Sequence, residues 1–155
     1  MTILAGGCQC GAVRFRAEGV IRASICHCRM CQKATGNAFG PYAVVEKVKW
    51  TRGEPRRFQS SNLAARGFCA ECGTPLTYEA ADEICVTLGA LDDPDACAPI
   101  HQLAPESAVG WFRGIETLPL RPPAQRAAGA AFNARVVSYQ HPDHDTAEWP
   151  AKDQP

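Results

Sequence analysis

The sequence has no net charge, no long apolar run and little helical periodicity. Sixteen basic and sixteen acidic residues cancel, so no overall field draws the chain toward nucleic acid or an anionic membrane, and neither partner is expected. The opening residues "MTILAGGCQCG" hold neither a basic segment nor an apolar run of signal length, and nothing later reaches the length of a membrane span. The expectation is a soluble cytoplasmic protein with a small-molecule partner. Repeats of solenoid length are absent too. At 155 residues the chain has the size of one domain and can bury a core without disulfide staples.

What the sequence has in excess is cysteine. Nine occur, an odd number, and in a reducing compartment clustered cysteines read as metal ligands rather than as a disulfide framework. Seven fall into three groups: Cys8 and Cys10 in "CQC", Cys26, Cys28 and Cys31 in "CHCRMC", and Cys69 and Cys72 in "CAEC". Alternate residues of an extended strand share a face, so Cys8 with Cys10, and Cys26 with Cys28, can each offer two thiolates to one ion. The same alternation turns His27 to the opposite face. "CAECG" makes a tight turn in which Gly73 supplies a permissive backbone, as in ribbon-type zinc knuckles.

Two such two-ligand pieces complete a tetrahedron, and closed four-thiolate sites are structural. Pairing Cys8 and Cys10 with Cys69 and Cys72 leaves Cys26, Cys28 and Cys31 for a second ion with a vacant position. Catalytic zinc has that form, because water or a substrate atom takes the fourth place. Two alternatives stand beside this pairing: one structural site with three buried thiols, or a first site completed by "CHC" in place of "CAEC". Seven thiolates outweigh two Zn²⁺ ions in charge, and Arg29, Lys33 and Arg66 lie close enough in sequence to offset the excess. Cys85, inside apolar "EICVTL", reads as core, while Cys97 in "DPDACAPI" is ambiguous. His141 and His144 read as a solvated tail pair, and His101 in "APIHQL" as a core-edge histidine or a site residue.

The pattern is mainly β. "GAVRFRAEG" alternates as a strand ending near Gly19, and "FGPYAVVEKVKWTRG", "EPRRFQSS", "PLTYEA" and "EICVTLGAL" read as further strands. The last is nearly continuous in apolar character and so central. Turn signals at "TRGEP", "ECGTP" and "LDDPDA" separate these runs, and "CRMCQKATG" has room for one helical turn ending at Gly36. From "LRPPAQRAAGAAF" the texture changes. The expected division is a zinc-binding catalytic domain over 1–120 and a partly irregular extension over 121–155, in which "FNARVVSYQ" offers an edge strand or a surface segment.

The stretches "GGCQCGAVRF", "CHCRMCQKATGNAF", "RGFCAECGTPLTY", "VTLGALDDPD" and "HQLAPESAVGWF" follow one another as in the glutathione-dependent formaldehyde-activating enzyme family, which also contains centromere protein V-like proteins. The chain resembles that family from about Gly6 to Pro119. The resemblance implies an Mss4-like fold of coiled antiparallel β-sheets with zinc knuckles and little helix. It implies a structural zinc on Cys8, Cys10, Cys69 and Cys72, and a second zinc on Cys26, Cys28 and Cys31. The implied activity is addition of glutathione to formaldehyde to give S-hydroxymethylglutathione, classed with carbon-sulfur lyases. A thiol such as glutathione and an aldehyde would then be the partners, with His27 or His101 shuttling the proton. Assembly into a homo-oligomer is left open. The rival classes are a non-catalytic zinc-binding interaction module and a thiol or metal sensor.

Overall fold

The computed structural model describes residues 3–150. The elements in chain order are β1 (Ile3–Gly7), β2 (Arg14–Cys26), α1 (Arg29–Thr35), β3 (Gly40–Arg52), β4 (Arg56–Gln59), β5 (Ala64–Phe68), β6 (Pro75–Ala80), β7 (Ile84–Thr87), β8 (His101–Leu103) and α2 (Pro123–Asn133), with short 3-10 turns between them. Seven strands pair antiparallel in the order β1-β2-β3-β7-β6-β5-β4, and β8 joins β2 in parallel. The mainly β antiparallel class is therefore as expected. So is the place of β7 in the middle of the path.

Three short strands escaped the pattern reading. β1 is glycine-rich, β5 carries Arg66 at a buried position and β8 has only three residues, so each owes its extended form to a neighbour across the sheet. β2 also runs on past its expected end. Gly19 takes a positive φ, the register against β3 shifts between Val20 and Arg22, and the strand continues to Cys26. A bulge lets a strand bend without ending.

Alternation along β3 and β7 divides the interior in two. Ala43, Val45 and Val86 join Phe15, Leu76 and Leu91 in the main core, while Tyr42, Val44 and Cys85 surround Cys31 in a smaller cluster. Neighbouring residues of a strand point to opposite faces, so the same strands serve both. Cys8 and Cys69 belong to the main core and Cys31 to the smaller one. Phe15 is fully buried and meets Trp50 edge-on at 5.9 Å; truncating such a ring to alanine costs about 3–5 kcal/mol.

The extension does not simply trail away. No residue of α2 is buried, but the chain beyond it returns to the turn after β1. There the His141 amide donates to the Gln9 carbonyl at 2.8 Å, and the Trp149 indole donates to the Cys10 carbonyl at 2.6 Å. Arg14, 3% exposed, is bidentate to Asp92 at 2.7 and 2.6 Å and also reaches Asp145 at 3.0 Å. His141 is therefore buried rather than solvated, although His144 is exposed. Gly11 makes this possible: at φ +81° its missing Cβ would stand 2.1 Å from the His141 ring. "FNARVVSYQ" forms the end of α2 and irregular chain, not a strand.

Candidate metal centres

The first centre is built from two turns. β1 stops at Gly7, the Gly11 amide closes back on the Cys8 carbonyl at 3.0 Å, and the Val13 amide donates to the Cys8 sulfur at 3.2 Å. Cys8 and Cys10 thus converge by a turn, not by sharing a strand face as the alternation argument had it. The partner turn is the expected knuckle, with Cys69 N–H on Thr74 O at 2.9 Å, Gly73 N–H on Cys69 O at 3.0 Å and Gly73 at φ +77°. Its sulfurs complete a set of four within 4.8 Å of one another. Cys8 and Cys10 lie 3.6 Å apart, and Cys10 and Cys69 3.8 Å. Sulfurs at about 2.3 Å from a tetrahedral zinc are about 3.8 Å apart, so the donor set and its spacing fit that ion.

Electrostatics inside the four-sulfur set are uneven. Burial works against ionising Cys72, yet the Thr74 hydroxyl and backbone amide outweigh it and bring the thiol down to about 6. Cys10 is pushed up, chiefly by burial. The Thr74 contacts thus favour the thiolate at Cys72, while burial works against it at Cys10 and Cys69.

The second centre lies where β2 hands over to α1. Cys26 ends the strand, Cys28 is the N-cap whose sulfur accepts from the Cys31 amide at 3.4 Å, and Cys31 sits in the helix. The three sulfurs lie within 4.8 Å of one another, with no fourth His, Cys, Asp or Glu beside them among the described residues. Burial pushes Cys26 up to about 12; Cys28 is lowered because backbone and sulfur hydrogen bonds around Cys31 outweigh its burial.

Arg66 reaches this cluster from β5. Its Nη2 donates to the Cys31 sulfur at 3.4 Å, its Nη1 to the Tyr42 hydroxyl at 2.8 Å, and its guanidinium lies 5.2 Å over the Tyr78 ring. A buried cation thus faces the sulfurs whose charge it was expected to balance. Arg29 instead bonds Gln32. Beside them opens a cleft of about 410 Å³, lined by Arg29, Lys33 and Arg66 with Met30 and Phe58.

His27 is not among the sulfurs, in keeping with alternation. It is fully buried, its ring edge-on to Phe112 at 4.6 Å, its Nε2 3.1 Å from the Gln102 side-chain oxygen and its Nδ1 without a partner. His101 is exposed on β8 opposite Ser24 and does not join the cluster either, although Leu103 of that strand pairs with Cys26. Gln32 escaped the sequence reading. Its amide donates to the His27 carbonyl at 2.7 Å and to the Ser107 carbonyl at 3.1 Å, tying the cysteine segment to the loop after β8. Tyr42 escaped as well, though its place two residues before Val44 on an alternating strand carried the signal. Cys85 is buried as expected, and burial pushes it to about 12. Cys97 packs at the edge of the main core.

Known proteins resemble this chain in fold and in sequence. A crystal structure of a Rhodobacter sphaeroides protein superposes on 63% of this chain and 98% of its own with a TM-score of 0.50, at 23% identity, which speaks to fold alone. A Schizosaccharomyces pombe protein named as an uncharacterized lyase is 31% identical over 77 residues, 47% of this chain and 55% of its own length. The chain thus spans about half the length of the curated relative it matches. Residues 3–106, which hold both cysteine clusters and the elements that position them, match the glutathione-dependent formaldehyde-activating enzyme profile, and the chain belongs to that family.

Proposed function

We propose that the protein is a zinc-dependent enzyme of the carbon-sulfur lyase type that adds a thiol to an aldehyde, with glutathione and formaldehyde as the pair its family suggests. The observation that carries this reading is the second cluster: three converging sulfurs, a buried arginine on one of them and a cleft that the same arginine lines. In this reading Cys8, Cys10, Cys69 and Cys72 hold a structural zinc, and Cys26, Cys28 and Cys31 a catalytic one. Zinc held by three thiolates would supply a position where a substrate thiol is kept deprotonated.

The chain's own groups do the rest. Arg66 offsets the cluster's negative charge and fixes Cys31. Arg29 and Lys33 at the rim of the cleft attract an anionic thiol, and Met30 and Phe58 remove water from its path. Carbon-sulfur bond formation opens the aldehyde C=O, and the proton lost by the thiol ends on the new hydroxyl, so the hemithioacetal balances. Of the two histidines, His101, exposed on β8, is placed to exchange that proton with solvent, while His27 is buried with its Nε2 on the Gln102 side-chain oxygen. Residues 1–120 form the catalytic unit and 121–155 its extension, in a reducing cytoplasm that keeps the thiols free.

The test uses cobalt in the second site. Glutathione should shift the visible spectrum toward a four-sulfur pattern and release a proton at neutral pH. If saturating glutathione changes neither, and S-methylglutathione competes equally well, the thiol mechanism falls and a binding module becomes the better account.

A further inference from the structure

Between the loop on the second centre and the tail on the first, the chain runs over the outside of the body. No residue from Ala108 to Gln140 is buried. Yet the segment is held at both ends, by Phe112 on the His27 ring and by His141 under Gly11, and it is helical over α2. It displays Trp111, Leu118, Leu120, Phe132, Val136 and Val137, each more than half exposed. Segments that stay unfolded are poor in such side chains.

Area gives the scale. A compact monomer of 16.7 kDa exposes about 7,600 Å², whereas this chain exposes 10039 Å². The excess of about 2,400 Å² is some three times what each partner gives up in a standard-size interface.

Charge says where the arm goes. Arg113, Arg121, Arg126 and Arg135 face a single acid, Glu116, so residues 108–139 carry a net +3, and in a neutral chain the remainder carries −3. Two arms packed on each other would bring like charges together. An arm laid on the body of a second copy brings opposite ones together, and a two-fold axis makes the exchange reciprocal.

We propose that residues 108–139 are a dimerisation arm, packed against the body of a second copy of this chain. The proposal does not depend on the metals or on the reaction. Sedimentation equilibrium at about 100 µM should give twice the chain mass, with dissociation promoted by salt. Leu120→Glu with Val137→Glu, both exposed in the single chain, should weaken association about 100-fold while both clusters keep their metal. Arg121→Glu with Arg126→Glu should weaken it as well. A monomer at that concentration, or a dimer untouched by the apolar variants, overturns the proposal; a dimer tightened by charge reversal overturns the arm-to-body geometry.

Discussion

Arg66 and Cys31 are in contact, guanidinium to sulfur at 3.4 Å, although 35 positions separate them in the chain. A hydrogen bond with an ionised partner contributes roughly 1.5–3 kcal/mol. Arg66→Met should therefore lower the metal affinity of the Cys26, Cys28 and Cys31 site by roughly 10- to 100-fold and leave the four-cysteine site unchanged, with Arg66→Lys in between. Competition with a graded series of chelators resolves the two sites. Equal weakening of both would mean that Arg66 acts on the fold.

The two centres should fail differently. Cys69 is 1% exposed within the main core, and a structural metal contributes its binding energy directly to folding. Cys69→Ser should unfold or aggregate the protein. Cys28→Ser, at a part-exposed helix cap, should give a folded chain lacking the second metal. Metal content and thermal melting of the pair decide the matter, and matching melting curves would refute the division.

His27→Ala removes a fully buried ring packed on Phe112. The cavity should cost about 2–4 kcal/mol in chemical denaturation, with metal occupancy intact because His27 is not among the clustered sulfurs. Faster amide exchange in residues 101–112 should accompany it. Loss of the second metal in this variant would make His27 a ligand.

Docking of the tail should depend on pH through His141. Burial, helped by Arg14 and Arg52, holds this imidazole below its ordinary range, so the folded chain keeps it neutral. A depressed folded value means that the contribution is complete above the unfolded value of about 6.5 and is lost as pH falls toward the lower folded one. Amide exchange over residues 140–149 should accelerate on acidification from about 7, and His141→Gln should flatten that dependence. Asp145 has the same sign further down: burial would raise its carboxyl, but Arg14 and Arg16 hold it below the usual carboxylate range. Its contribution is full throughout neutrality, so Asp145→Asn should loosen the tail at every pH above about 4. A tail indifferent to both substitutions would refute this account.

The two cysteine clusters were legible in the sequence because ligand geometry is local. The C-x-x-C turn with Gly73 needs only neighbouring backbone, and the spacing of the seven clustered cysteines suggested the division into four and three that the fold brings together. The β class followed from alternation in "VRFR" and from the apolar run that became β7, since side-chain period is a property of the strand itself. Locality has a limit at Cys8, where C-x-C converges through a turn closed by Gly11, because a period-two pattern does not tell a strand from that turn. The remaining features belong to the tertiary structure alone. Arg66 meets Cys31, Gln32 meets Ser107 and His141 returns to Gln9 only after sheet pairing has brought distant segments together. No periodicity along a chain encodes such meetings, because the partners of a buried charge or amide are chosen by which strands pair, and that choice is made by the whole core at once.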